Sequence, residues 1–380
     1  MAKTVFRKPY GSFRYNAWPT IIKGENGVLY TVFSGYGVMH ADPFAKNLLC
    51  RSYDNGETWS LPIIINDTPL DDRDTGICHL GGKRYLISYF NVAKEEMPTY
   101  LPLCYNLYEG DRYDYAITDA GVRLYETYTP DHPRYNPEMN EPGSYIRITE
   151  DDFVTISDPI KVPLTSPHGP KLMKDGRSIG HLGRLFDADF DGDTEKPDQV
   201  YFSKSVDGGK TFEVLGKVPK CEDTSLNIHF YCEPDFIDLG NNNLFGVIRC
   251  HSKNPDYRRT MVKTFSSDGG KTWSKPEPLW VSGLPPYILQ LKNGDLLISY
   301  SKRETPFSIR GIISKDNGKT FGKEFVIDDV KDHTFIGDMG YPATAELDDG
   351  SLITVYYAIV ENDNKPSICY KKWKLKDIVK

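Results

Sequence analysis

Short apolar runs separated by glycine-bearing turns recur along the whole chain. Each run has the length of a strand rather than a helix. Trp18-Pro19-Thr20-Ile21-Ile22 precedes Gly27-Val28-Leu29-Tyr30-Thr31-Val32, and Gly76-Ile77-Cys78-His79-Leu80 precedes Tyr85-Leu86-Ile87-Ser88. The same pairing returns at Lys171-Leu172-Met173 before Ile179, and at Phe236-Ile237-Asp238-Leu239 before Leu244-Phe245-Gly246-Val247-Ile248. It returns twice more, at Leu289-Gln290-Leu291 before Leu296-Leu297-Ile298-Ser299, and at Thr344-Ala345-Glu346-Leu347 before Leu352-Ile353-Thr354-Val355. Six repeats of one short unit predict an all-β fold built by radial repetition.

A second pattern is phased with the first. Ser52-Tyr53-Asp54-Asn55-Gly56-Glu57-Thr58-Trp59 reads Ser-x-Asp-x-Gly-x-Thr-aromatic, and the pattern recurs at 205–212, 266–273 and 314–321. Thr149-Glu150-Asp151-Asp152-Phe153-Val154-Thr155-Ile156 is a decayed fifth copy that has lost its glycine. The physics is that of a tight hairpin. The Asp accepts from N–H groups of its own turn, and the glycine supplies positive φ. The aromatic residue packs inward between strands. These box carboxylates are spent on the turn, so they are scaffold and not active site. With each box between the third and fourth strands of a unit, the expected fold is a six-bladed β-propeller forming one domain over 1–380. The last unit lacks a box, and the N-terminal segment is expected to complete its blade. The period breaks from about 91 to 142, where a Tyr-rich insertion falls in blade 2. A lid or subsite wall and an oligomer contact are the two readings of it.

First strands line the axis of a propeller, so their equivalent ends converge on one mouth. Those ends are Asn16-Ala17-Trp18, Arg73-Asp74-Thr75, Pro167-His168-Gly169, Cys232-Glu233-Pro234, Pro285-Pro286-Tyr287 and Gly340-Tyr341-Pro342. Charged and aromatic groups converging in a concavity form the default site.

Composition narrows the classes. A net charge of −7 with no cluster of Lys and Arg argues against a nucleic-acid surface. The longest apolar runs, such as 61–65, fall far short of the ~18 residues a membrane-crossing helix needs. Aromatic residues make up 13%, 25 of them Tyr, which suits strands and also sugar-stacking surfaces. The seven cysteines are scattered and odd in number, without ligand spacing, which predicts neither a disulfide framework nor a zinc site. With no apolar leader at the start, a cytoplasmic location is expected.

The boxes, together with Glu233, Arg249, Arg310 and Tyr341 in that order, resemble the sialidase superfamily over nearly the whole chain. The resemblance implies Tyr341 as nucleophile and Glu233 as its partner base. It implies Arg249 and Arg310 as the second and third of three arginines that hold a substrate carboxylate. Asp42, in the loop before Leu48-Leu49-Cys50-Arg51-Ser52, resembles the acid/base loop, with Asp72 and Asp74 as rivals. The chemistry is coherent by itself: a phenol of pKa near 10 needs an adjacent carboxylate to take its proton. Paired guanidiniums can grip an acidic sugar.

One departure matters. The superfamily's first arginine belongs to a Phe-Arg-Ile-Pro motif, and Ala17-Trp18-Pro19 stands there instead. Arg73 and Arg14 are the guanidiniums available to compensate. The plainer inference is that sialic acid is not the substrate. His40 and His168, with Asp72 and Arg73, mark a subgroup with its own chemistry, and Tyr287 joins them as a candidate substrate-binding residue. The run Asp187-Ala188-Asp189-Phe190-Asp191-Gly192-Asp193 copies the start of a calcium loop, but Thr194 stands where an apolar residue belongs. It is read as a solvated acidic loop, with a structural calcium as the lesser alternative, and no cofactor is expected.

The leading expectation is an exo-acting glycoside hydrolase on an acidic or uronate-containing glycan, with carbohydrate as partner and neither nucleic acid nor membrane. A polysaccharide lyase or a His-dependent rhamnosidase-type enzyme is the rival chemistry. A non-catalytic carbohydrate-binding propeller is the rival class.

Overall fold

A computed structural model describes residues 3–11, 13–38, 40, 45–92, 141–185, 200–330, 338–360, 363 and 365–378. The body of the expected insertion, 93–140, the acidic run at Asp187, Asp189 and Asp191, and Asp42 lie outside the described residues.

Six antiparallel sheets form the blades of a propeller. Blade 1 contains β2 (Tyr15–Lys23), β3 (Leu29–Gly37), β4 (Lys46–Ser52) and β5 (Ile63–Asn66). Blade 2 contains β6 (Asp71–Gly81), β7 (Arg84–Val92), β8 (Gly143–Thr149) and β9 (Ile160–Val162). In blade 3 the first strand is split into β10 (Leu164–Thr165) and β11 (Lys171–Leu172), which both pair with β12 (Ile179–Leu185). β13 (Val200–Ser205) and β14 (Glu213–Lys217) follow. Blade 4 contains β15 (Ile228–Gly240), β16 (Asn243–Ser252), β17 (Arg259–Ser266) and β18 (Glu277–Pro278). Blade 5 contains β19 (Leu284–Gln290), β20 (Leu296–Lys302), β21 (Ser308–Ser314) and β22 (Phe325–Asp328). Blade 6 takes β23 (Gly340–Glu346), β24 (Leu352–Ile359) and β25 (Pro366–Trp373) from the end of the chain, and β1 (Lys3–Phe6) from its start. Lys3 faces Tyr370 across that last ladder, so the ring closes through the N-terminal strand.

The core is a set of layers between neighbouring blades. Phe245, Val247 and Met261 of blade 4 meet Ile288, Leu296, Ile298, Tyr300 and Ile312 of blade 5. Alternation along each strand sends one face to the preceding blade and the other to the following one, so second strands are buried on both faces.

The boxes are built as the motif demands. In the Ser266–Trp273 copy, Asp268 Oδ1 accepts from Thr272 N at 2.9 Å and from Ser266 Oγ at 2.8 Å, and Oδ2 accepts from Thr272 Oγ1 at 2.6 Å. These bonds hold the exposed Asp268 carboxyl down at about 2. The glycine is required twice over. At Gly270 φ is +92°, and a Cβ there would lie 2.1 Å from Phe202 of blade 3. Gly318 abuts Phe245 of blade 4, and Gly56 abuts Ile353 of blade 6. Each of these boxes therefore presses its turn against the preceding blade.

The decayed copy has kept the same geometry. Thr149 replaces Ser, and Asp151 still accepts from Thr155 N at 2.9 Å and Thr155 Oγ1 at 2.7 Å. Phe153 takes the glycine position at φ +62°, and its ring stacks on Tyr85 at 5.4 Å, near Tyr30 of blade 1. The strain of a left-handed Phe is offset by filling the blade 1–2 layer.

Gly270 and Gly294 separate conformation from space, because both have positive φ but only Gly270 lacks room for a methyl. Gly294→Ala is expected to cost about 1–2 kcal/mol from backbone strain alone. Gly270→Ala is expected to cost roughly 3 kcal/mol or more, since overpacking adds to that strain. Denaturant melts of the two variants check this, and equal losses would remove the packing argument.

Candidate functional site

The first strands share one irregularity. The ladder slips between Ala17 and Thr20, between Arg73 and Gly76, between Cys232 and Pro234, and between Gly340 and Ala343. At each slip one residue is left-handed: Trp18 at φ 54°, Asp74 at 49°, Glu233 at 45° and Tyr341 at 49°. Blade 3 has Gly169 at φ 72° at the equivalent step, and blade 5 slips between Leu284 and Tyr287. A bulge re-aims the side chain it carries. Here it turns four side chains out of the inter-blade layers and towards the axis. Pro follows three of them, at Pro19, Pro234 and Pro342, where a missing N–H costs the disrupted ladder nothing.

Tyr341 and Glu233 meet at the centre. The phenol donates to Glu233 Oε1 at 2.5 Å. Arg249 Nη1 donates to Glu233 Oε2 and also to the phenol oxygen, the latter at 3.3 Å. The Arg303 guanidinium lies 5.2 Å from the Tyr341 ring centroid. Burial pushes the Tyr341 hydroxyl well above its ordinary range, Glu233 and Asp74 push it further, and Arg249 and Arg303 oppose them. The resting group is therefore a phenol. Asp74 completes the set. Burial, and then Glu233, push its carboxyl up to about 7, against Arg73 and Arg249. Its Oδ1 has no hydrogen-bond partner among the described residues.

A polar hub stands where the mouth meets blade 1. Asp338, 3% exposed, accepts from Tyr15 Oη at 2.7 Å and from Tyr357 Oη at 2.9 Å, and lies 3.2 Å from His40 Nδ1. Tyr357 in turn accepts from Arg303 Nη2 at 3.5 Å. Trp18 is 2% exposed and carries the Arg73 guanidinium 4.2 Å above its ring. Arg73 Nη1 donates to the His40 carbonyl at 2.7 Å and to Asp71 at 3.1 Å. The indole that stands at the expected arginine position is thus a buried pedestal and not an anion ligand.

The expected site residues divide by place. Tyr341, Glu233, Asp74 and Arg249 come together, and Arg73 and His40 border them. His168 and Tyr287 pack on each other at 4.9 Å one layer further along the axis. There His168 Nδ1 is 3.0 Å from Thr20 Oγ1, two residues past the bulge at Trp18.

Two expectations are corrected. Arg310 lies in β21, a third strand and therefore removed from the axis, where Glu324 and Ser308 take up its guanidinium. Asp72 points away from the cluster and accepts from Thr68 N and Thr68 Oγ1, both at 2.8 Å.

Arg303, and not Arg310, is the guanidinium that stands with Arg249 beside Tyr341. The missed signal was positional: Arg249 lies near the end of second strand β16, and Arg303 directly follows second strand β20. Asp338 carried no sequence signal, because only the fold brings Tyr15, Tyr357 and His40 to it. Among the described residues no group of three His, Cys, Asp or Glu could hold a metal, and no helix is long and apolar enough to cross a membrane.

The sequence profile of the BNR repeat-like domain matches residues 141–354. No curated protein matches the sequence. A protein of unknown function from Dyadobacter fermentans has a similar structure, with a TM-score of 0.71 at 19% identity over 98% of this chain and 97% of that one. The intramolecular trans-sialidase from Ruminococcus gnavus, in complex with oseltamivir carboxylate, gives a TM-score of 0.61 at 13% identity, over 99% and 98%. The NanB sialidase from Streptococcus pneumoniae gives 0.62 at 12% identity, over 100% of this chain and 71% of its own. At these identities the likeness is one of fold.

Buried histidines are expected to weaken the fold in acid. Burial pushes His168 and His181 down to about 3, with Lys171 adding to the effect on His168. Below about pH 6.5 the unfolded chain protonates these rings and the folded chain does not. Their contribution is therefore complete above that pH and is lost as the pH falls towards 3, by up to about 1.4 kcal/mol per unit for each ring. Calorimetry from neutral to acid pH is expected to show this decline, with a flatter slope in His181→Gln. Parallel profiles for the two proteins would overturn the assignment.

Proposed function

The chain belongs to the BNR repeat-like family of sialidase-type propellers, and from that premise we propose that it is an exo-acting glycoside hydrolase of acidic glycans other than sialosides. The observation that carries this reading is the 2.5 Å hydrogen bond from Tyr341 of blade 6 to Glu233 of blade 4, with Asp74 and two guanidiniums around it. A binding surface alone has no need of a buried phenol hydrogen-bonded to a carboxylate, nor of a carboxyl held near neutrality.

Each residue has a task. Tyr341 Oη attacks the anomeric carbon and passes its proton to Glu233, forming a glycosyl–tyrosine bond. Asp74 gives its proton to the departing glycosidic oxygen. It then takes a proton from the water that attacks the anomeric carbon, and Glu233 returns its proton to the phenolate as the sugar leaves. Arg249 Nη1 stabilises the charge that moves between Tyr341 and Glu233. Arg303 holds the acidic group of the sugar. Trp18 is buried, and Arg14 at the head of blade 1 is paired with Asp363, so neither serves a three-arginine grip. A uronic acid gripped through Arg303 fits this charge distribution better than a sialic acid does.

The test is a product assay on acidic oligosaccharides, sialyl and glucuronyl conjugates included, read by mass spectrometry. Cleavage of a non-sialyl glycan with the gain of one water is expected, and Tyr341→Phe is expected to abolish it. Free sialic acid would overturn the substrate assignment. Cleavage without water would move the protein to lyase chemistry, and undiminished activity in Tyr341→Phe would move the catalysis to His40.

Asp74 gives a second check. A general acid works while protonated, so kcat/KM is expected to fall as the pH rises through about 7. Asp74→Asn is expected to lose about 10²–10⁴-fold on a natural glycan. It should lose far less on an aryl glycoside, whose leaving group needs no proton. Equal losses on both substrates would remove Asp74 from that role.

A further inference from the structure

Two hydrogen bonds run from Arg249 to one atom. Nε reaches His251 Nε2 at 3.2 Å, and Nη2 reaches the same nitrogen at 3.0 Å. A guanidinium has donors and no acceptor. His251 Nε2 must therefore present its lone pair, and the proton of the neutral ring is on Nδ1. A second proton would set an N–H against two others.

The surroundings enforce that state. His229 on β15, Arg249 on β16, Arg259 at the start of β17 and Arg303 beyond β20 all face the ring, and Phe230 meets it edge-on at 5.6 Å. Two carboxylates stand nearby, and both are taken by arginines: Glu304 accepts from Arg259 at 3.3 Å, and Glu233 accepts from Arg249 Nη1. Burial first, and then the surrounding cations, drive the His251 imidazole down to about 2. The geometry leaves Arg249 little freedom. With Nε and one Nη2 hydrogen taken by His251, Nη1 is the arm turned to Glu233 and Tyr341.

We propose that His251 is a positioning residue, a constitutively neutral imidazole whose Nε2 lone pair fixes the Arg249 guanidinium with Nη1 aimed at the Tyr341–Glu233 pair. This rests on reading that pair as the reacting centre. It gives Arg249 a different task from Arg303: Arg249 serves the proton transfer within the pair, and Arg303 meets the substrate. His251 touches neither substrate nor reacting atoms and acts through Arg249.

The experiment has two arms on the intact protein. Long-range proton–nitrogen NMR, with His251→Gln to assign the signal, reads the ring directly. A ring protonated on Nδ1 and bare on Nε2, unchanged between about pH 5 and pH 8, is expected. A ring protonated on Nε2, or one gaining a second proton in that range, overturns the proposal. In the second arm, His251→Phe keeps a flat ring and removes the acceptor. It is expected to melt with the wild type and to lose about 10- to 100-fold in kcat with little change in KM, the worth of a hydrogen bond to a charged group. His251→Gln restores an acceptor oxygen and is expected to recover most of that loss. Equal losses in both variants overturn the proposal. If His251→Phe does not fold, the NMR arm decides alone. A wild type that cleaves no glycan would sink the hydrolase reading, while the NMR arm still decides the lone pair.

Discussion

Trp18, Asp74, Glu233 and Tyr341 occupy the same step of four first strands with φ between 45° and 54°. Left-handed backbone costs an ordinary residue about 1–2 kcal/mol, so four such residues persist only because the ring over-determines them. Each bulge is held by its own ladder above and below, and each ladder is held by the blades on either side. Without the bulges these side chains would obey strict alternation and disappear into the layers between blades. With them, an indole, two carboxylates and a phenol face a common mouth. The strain is local, the restraint is global, and the chemistry depends on both.

The same crowding sets the charges. Glu233, Asp74 and Asp338 stand near Arg249, Arg303 and Arg73 in a region mostly closed to water, where unpaired charge is costly. The pairing is uneven in a useful way. Glu233 is held by Arg249, and Asp338 by two tyrosines. Asp74 Oδ1 has no hydrogen-bond partner among the described residues, and burial pushes its carboxyl up to about 7. Carboxyl groups within one small mouth are thus bonded in different ways, and burial raises that of Asp74.

Much of this was legible in the residues. The boxes announced the fold because their hydrogen bonds are local, and a local motif survives in sequence. Even the glycine-less copy at Thr149–Ile156 kept its geometry, as its Thr and Asp spacing suggested. The first-strand ends were readable because propeller geometry maps one position of each repeat to one place in space. Arg310 misled because its order in the chain does not tell how far its strand lies from the axis. Its third strand leads into the box, whereas the mouth is served by the ends of second strands, where Arg249 and Arg303 lie. Asp338 and His251 were illegible, since their roles come from partners on other strands or blades and from burial.

Blade 6 is joined from both directions, with β1 laid against β25. In synthesis from N- to C-terminus β1 is made before the other strands and its partner β25 after them. Tyr341 emerges late, in the sheet that β1 has been waiting to complete. In that order of synthesis Glu233 is made well before Tyr341, so the pair forms only once the chain has reached its last blade.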